Sequence, residues 1–243
     1  MKIAVVPASY GSLGKNKGCE LAPALLTKGL GAKIFEIIGE NLEDLGEKLL
    51  NFVNSSNDKL FLVGGDHSIT YFSFKGFSDG NSGLIVFDAH PDMQSSDFIT
   101  HEDYLRILIE EGILKSENIV IVGLRSISFE EQDYLIRKKI VYFDMNKIFE
   151  LGIEEVCNLV MERMNKFSRL YLSIDIYAAD PAFAPGTGYL EPGGLSSFEL
   201  LYMVKRIRMM KNLKVVDLVE INPNKDLNGI TVALGRKILE AFL

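Results

Sequence analysis

Apolar runs of strand length recur along the chain and alternate with amphipathic stretches of helical period. The runs predict strands at Ile3–Pro7, Lys33–Ile37, Lys59–Val63, Gly83–Asp88, Asn118–Gly123, Ile140–Asp144, Leu170–Asp175 and Leu213–Glu220. Several are near-continuous Val, Ile, Leu and Phe, the composition of strands covered on both faces. Between them the pattern predicts helices over Asn41–Asn54, His101–Glu111, Phe129–Lys138, Ile153–Phe167 and Ser196–Met210, with a last one from Gly229 to Leu243. Ser196 followed by Glu199 is a capping box, in which hydroxyl and carboxylate each satisfy an orphan backbone donor. No internal repeat, low-complexity tract or linker interrupts the alternation. It therefore predicts one domain over residues 1–243, an α/β three-layer sandwich with helices on both faces of a mostly parallel eight-stranded sheet.

The polar residues break this pattern at particular places. In such sheets, sites form at the carboxyl ends of the strands. The strand ending at Val63 delivers Asp66 and His67, and the one ending near Phe87 delivers Asp88, His90 and Asp92. Another delivers Asp175, and the last delivers Glu220. The remaining histidine, His101, lies in Thr100-His-Glu-Asp103. Chance decoration would scatter such groups over both sheet edges and the helices. Imidazoles gathered with carboxylates suit a hard-to-borderline divalent metal. Alternate residues of an extended segment face one way, so Asp88, His90 and Asp92 can converge, although Pro91 bends the chain out of strand geometry. Two ions bridged by carboxylates, about 3.5–4 Å apart, would generate hydroxide near neutral pH. Gly64 and Gly65 carry no P-loop lysine after them and do not read as a phosphate loop.

Composition narrows the partners. The 243 residues carry a formal net charge of −7 and no long Lys/Arg block, which argues against nucleic acid. Two cysteines are too few for a disulfide scaffold, and Cys157, on an apolar helical face, reads as a buried thiol. No stretch approaches the roughly 20 apolar residues of a membrane span. The apolar run at the N-terminus is too short for a signal peptide, so a cytoplasmic location is expected.

Gly64-Gly-Asp-His-Ser68, Asp88-Ala-His-Pro-Asp92 and Ser173-Ile-Asp-Ile, with Asp180-Pro-Ala-Phe-Ala-Pro-Gly186, resemble in order the three metal motifs of the arginase/agmatinase (ureohydrolase) family. Gly18-Cys-Glu-Leu-Ala-Pro23, Val122-Gly-Leu-Arg-Ser126 and Val219-Glu-Ile-Asn-Pro223 extend the resemblance over nearly the whole chain. It implies an arginase-like sandwich around a parallel eight-stranded sheet and two Mn²⁺ ions whose bridging hydroxide attacks a guanidinium carbon, releasing urea. It further implies a small cationic guanidino substrate and a homo-oligomer, trimer or hexamer. Carried across, His67, Asp88, Asp92 and Asp175 would hold one ion, and His90 with Asp88 and Asp175 the second. His101 matches the proton-shuttle histidine, Asp92 would orient the water, and Glu220 matches the carboxylate that grips the guanidinium.

The chain departs from the family pattern at the pocket. Tyr177 stands where the family has a second aspartate completing the second metal's shell. A phenol with pKa near 10 must lose a proton to bind as an anion. Asp88, Asp92 and Asp175 then offer three negative charges against four from two divalent ions. One ion is expected to bind tightly and the second weakly or not at all. Tyr189 replaces a small hydroxyl residue, and Glu102 replaces a glycine common among relatives. The compact segment 93–100 lies where relatives read the far end of the substrate, so Gln94 and Ser95, with Tyr189 and Glu220, are expected to contact the substrate. The segment has no arginine or lysine, which favours agmatine over arginine, although Gln94, Ser95 and Ser96 are neutral donors that can read a carboxylate. The leading reading is therefore a metal-dependent hydrolase of a linear guanidino or amidino C–N bond. The alternative is a weak or inactive homologue that binds a guanidino or amino-acid ligand.

Overall fold

A computed structural model describes residues 1–243. The elements are β1 (Lys2–Val6), α1 (Ala22–Thr27), β2 (Ile34–Glu36), α2 (Leu42–Asn54), β3 (Leu60–Gly64), α3 (Ile69–Phe77), β4 (Gly83–Phe87) and α4 (Tyr104–Glu110). They continue as β5 (Ile119–Leu124), α5 (Phe129–Arg137), β6 (Val141–Asp144), α6 (Met145–Leu151), α7 (Ile153–Met164), β7 (Leu170–Asp175), α8 (Ser197–Ile207), β8 (Leu213–Val219) and α9 (Ile230–Glu240). The eight strands form one sheet in the order β2-β1-β3-β8-β7-β4-β5-β6, and every pairing is parallel.

All eight expected strands are present, and the sheet is wholly rather than mostly parallel. Alternate residues enter different cores: Ile3 and Val5 join the layer of α1 and α6–α9, whereas Ala4 and Val6 join that of α2–α5. Burial on both faces is why these strands read as continuous apolar runs. The capping box at Ser196 forms as expected, and a second closes the start of α5 between Ser128 and Glu131.

Three helices were not expected. α3 follows the Gly-Gly-Asp-His motif directly and buries seven of its nine residues, so it has no polar stripe to give it a helical period. α1 and α6 have six and seven residues, too few turns for a period to show. The helix expected from His101 begins instead at Tyr104. Thr100 donates both its N–H and its hydroxyl to Asp103, closing a separate turn, and the His101 N–H is committed to Gly11 O. His101 is therefore held by loop contacts.

The strands carrying the candidate site, β3, β8, β7 and β4, are the four central neighbours of the sheet. Close backbone approach fixes the tip of β3. Gly65 O accepts from the Glu220 N–H at 2.7 Å, and a Cβ on Gly65 would lie 1.7 Å from Ala8 O. Backbone cannot retreat as a flexible side chain can. Gly65→Ala should therefore cost on the order of 2–4 kcal/mol in urea unfolding. Gly31→Ala, with open space around it, serves as control. Equal stability of the two variants would show that the β3 tip yields.

Candidate metal centre

Asp88, Asp175 and Asp66 share one local device. Each accepts, through Oδ1, the backbone N–H two residues on: His90 at 2.9 Å, Tyr177 at 2.7 Å and Ser68 at 2.9 Å. This turn fixes the carboxylate plane as the chain leaves the strand. For Asp88 and Asp175 it leaves Oδ2 pointing at one place. His67 Nδ1 lies there, 3.3 Å from Asp88 Oδ2, 3.1 Å from Asp175 Oδ2 and 3.0 Å from Asp92 Oδ2. Asp92 reaches in from a left-handed backbone, φ 52°. Ligand atoms of His67, Asp88 and Asp175 all lie within 4.8 Å of one another, and all three residues are buried.

These contacts do not satisfy the groups that make them. His67 Nδ1, Asp88 Oδ2 and Asp92 Oδ2 are buried with no hydrogen-bond partner. Burial and the charge of Asp88 push the Asp92 and Asp175 carboxyls well above the usual range. Burial also opposes ionisation of Asp88, but the His67 and His90 imidazoles beside it overcome that and hold the group low. Three carboxyls resist ionising together unless a positive charge sits among them. A divalent cation fits this donor set.

The other side of His67 is prepared for that role. Its Nε2 lies 2.8 Å from Ser173 Oγ and 2.9 Å from Tyr104 OH. Ser173 donates to Asp217 Oδ1 at 2.7 Å, and Tyr171 and Thr70 donate to Asp217 Oδ2. Because the Ser173 proton goes to Asp217, its oxygen is free to accept from Nε2–H. With Nε2–H directed there, Nδ1 is the nitrogen that faces the carboxylates and would turn a lone pair to a cation held among them. Asp217 was missed from sequence; its signal is a carboxylate in the middle of the apolar run Val215-Val-Asp-Leu-Val219.

The second expected ion has a poorer seat. His90 Nδ1 stands 3.4 Å from Asp88 Oδ1, the oxygen that already accepts the His90 N–H. Tyr177 supplies no anion, because burial and the charges of Glu220 and Asp175 raise its phenol well above the ordinary value. Its hydroxyl accepts from the Gly188 N–H at 2.9 Å and donates to Glu220 Oε2 at 3.2 Å. A Cβ on Gly188 would lie 2.3 Å from that hydroxyl, so the glycine makes room for the ring.

Glu220 is fully buried in a left-handed backbone conformation, φ 68°, which costs on the order of 1–3 kcal/mol for a non-glycine residue. Its Oε1 accepts the His67 N–H at 2.7 Å and lies 3.1 Å from His101 Nδ1. Its Oε2 accepts from Asn16 Nδ2 at 2.6 Å and from Tyr177. Burial opposes the Glu220 charge, and His101, Asn16 and the His67 N–H more than offset it, holding the carboxyl low. Both oxygens are thus engaged, and Glu220 is not on the wall of the cavity. Asn16, from the loop after β1, gave no signal in the sequence.

A cavity of about 320 Å³ opens above this cluster, walled by His90, Asp92, His101, Asp175, Tyr177 and Tyr189. His101 Nε2 is buried without a partner, 3.7 Å from Glu102 Oε1. The Tyr189 ring stacks on His101 at 6.2 Å, and its hydroxyl donates to Glu102 at 2.7 Å. Gln94 lines the cavity, whereas Ser95 is solvent-exposed and lies outside it. Lys15 reaches the same cavity from the loop after β1 and pairs with Glu102 at 2.9 Å. Lys15 thus places in the cavity a cation that segment 93–100 lacks, and the expected preference for agmatine over arginine loses its ground.

The family profile described as the arginase family matches residues 30–243. The chain belongs to the arginase family. It is 33% identical over 224 residues to an arginase of Staphylococcus aureus (strain COL), covering 84% of this chain and 74% of that protein. It is 33% identical over 188 residues to a guanidinopropionase of Pseudomonas aeruginosa, covering 74% of this chain and 58% of that protein. The formimidoylglutamase structure from Bacillus subtilis superposes with a TM-score of 0.91 at 22% identity, covering 99% of this chain and 85% of that one. That last likeness concerns the arginase fold, which the parallel sheet described above shares. No helix of the chain is long and apolar enough to cross a membrane.

The crowding has a consequence for stability. Burial works against charge on His90 and His101. For His90 the Asp88 bond and nearby carboxylates prevail and raise it to about 10; for His101, Glu220 raises it to about 9. An unfolded histidine titrates near 6.5, so above that pH the folded chain binds more protons than the unfolded one. Stability of the metal-free chain should therefore fall as pH rises from about 7 to 9, and the raised Asp92 and Asp175 act in the same direction. A divalent ion replaces those protons and should flatten the slope. Thermal unfolding across that range, with and without Mn²⁺, measures it; a metal-free Tm that rises with pH contradicts the electrostatics described.

Proposed function

We propose that the chain is a metal-dependent hydrolase that cleaves a C–N bond of a linear guanidino or amidino compound, an arginase- or agmatinase-like reaction releasing urea where the substrate is a guanidine. One observation carries the reading: three buried carboxylate oxygens from two strand tips meet at a single imidazole nitrogen from a third, at the floor of a cavity walled by two further histidines. Membership of the arginase family supports it. Relatives named arginase and guanidinopropionase both match at 33% identity, so the reading extends to the amidino class and not to one substrate.

His67, Asp88, Asp92 and Asp175 would hold the tight ion, taken here as manganese, and His90 with Asp88 and Asp175 a weak second one. A divalent cation in this seat would supply water activation near neutral pH. The chain's own groups supply the rest. Asp92, on the cavity wall, would orient the attacking water. His101 presents an unpaired Nε2 to the cavity while Glu220 fixes its Nδ1, an arrangement suited to moving a proton between water and leaving group. Tyr189, stacked on His101, would exclude bulk water from that side.

A second reading, a homologue that binds such a ligand with little or no turnover, draws on Tyr177. Its hydroxyl covers Glu220 and its neutral phenol weakens the second metal position. Urea or ammonia release over a panel of guanidines and amidines, with added Mn²⁺, separates the two. Turnover of at least one member is expected; none, with metal bound and the fold intact, would leave the binding reading. Metal analysis after dialysis should find close to one ion per chain, and Tyr177→Asp should raise that number. Two tightly retained ions in the unaltered chain would refute the weak second site.

A further inference from the structure

A second cavity lies at the opposite end of the sheet from the metal cluster. It has a volume of about 290 Å³ and opens where β3 and β8 begin and where the chain leaves α8 and α9. Its floor is apolar. Leu60, Leu213 and Val216 are each at most 3% exposed, and Phe242 closes one side by packing on Phe61 at 5.3 Å between ring centroids. Its rim is cationic. Lys59, Arg208 and Lys214 line it, no aspartate or glutamate does, and none of the three forms an ion pair within the protein. The neighbouring acid, Asp58, is committed to Lys2 at 3.0 Å.

The sheet itself crowds these charges. Leu60 pairs with Val215, so the residues before them, Lys59 and Lys214, come side by side where the strands start. A register shift between β7 and β8 pairs Leu170 with Leu213 and Tyr171 with Val215, leaving Lys214 without a partner on its other side. Adjacent like charges across a sheet cost stability unless an opposite charge joins them. Arg208 adds a third cation; its Nη1 donates to Ala241 O, while Nε and Nη2 stay unpaired. On a chain of net charge −7, this rim is a local seat for an anion. The volume limits what enters: at about 30 Å³ for each water-sized group, the cavity holds roughly ten non-hydrogen atoms, one short chain with its head group. We propose that this cavity binds a medium-chain carboxylate, its alkyl tail on Leu60, Leu213 and Val216 and its head among Lys59, Arg208 and Lys214. The cavity shares no residue with the one above the metal cluster, so the assignment stands apart from the hydrolase reading.

Octanoate, which matches that size, is the probe for calorimetry on the full chain. Saturable binding at millimolar concentration or tighter is expected. The double variant Lys59→Gln/Lys214→Gln should weaken it roughly tenfold or more, the scale of lost charge-assisted hydrogen bonds. Both lysines reach solvent, so this variant should fold as the native chain does. Lys115→Gln/Lys138→Gln removes the same charge from exposed positions elsewhere and should leave affinity within about twofold, because distant surface charges are screened by salt. Octan-1-ol and inorganic phosphate, which offer the tail or the charge alone, should each bind far more weakly. Absence of saturable octanoate binding, equal losses in the two double variants, or octanol or phosphate binding as tightly as octanoate would each overturn the assignment. So would an octanoate affinity that survives Lys59→Gln/Lys214→Gln, the result expected if the carboxylate goes to the metal cluster instead.

Discussion

Three carboxylates and one imidazole nitrogen meet inside the protein without satisfying one another, and much of the structure near the strand tips follows from that. Buried anions at 3.0–3.3 Å from a common point need positive charge between them. Protons on His67 and on the raised carboxyls serve in the metal-free chain; a divalent ion serves better, since it offers more charge to all the oxygens at once. The surrounding bonds hold the crowd in place. Backbone N–H groups pin the outer oxygens of Asp88 and Asp175, and the Asp217 network pins the far side of His67. The cost of crowding is carried by the sheet, three of whose four central strands supply its members.

Glu220 is the second centre on which the site turns. It joins the backbone of β3's tip, the shuttle candidate His101, the first loop through Asn16 and the altered position Tyr177. A carboxylate engaged in this way acts as a structural hub. Its left-handed backbone, like that of Asp92, is sustained because so many bonds determine it from outside.

The sheet was legible because parallel strands buried on both faces leave an unmistakable apolar run, and the site was legible because the same strands end in His and Asp. His67, Asp88, Asp92 and Asp175 converge as strand-tip reasoning requires. α3 was not legible, since a helix buried on nearly every side has no polar stripe. The start of α4 was misplaced because the Thr100–Asp103 turn depends on side-chain bonds that no period reveals. Lys15 and Asn16 were invisible for a related reason. They come from loops, and their meaning lies in which distant group they face: Asn16 touches Glu220 across 204 positions. Ser95, by contrast, was assigned to the pocket by its neighbours in sequence, and it faces solvent.

Tyr177 links the two changes that set this site apart. As a neutral phenol it removes a negative charge from the second metal position; as a hydrogen-bond donor it fills the last open place on Glu220. One residue therefore bears both on the position expected for a second ion and on the carboxylate expected to hold a cation. Gly188 accommodates it by leaving room for the hydroxyl and donating to it. The cavity keeps the buried cluster of His67, Asp88, Asp92 and Asp175 as its floor and, in His101, an imidazole whose Nε2 takes no hydrogen bond. The strands fix the floor of that cavity, whereas the chain between β7 and α8, which carries Tyr177 and Tyr189, fixes part of its wall, so the shape of the space above the cluster is set by a loop.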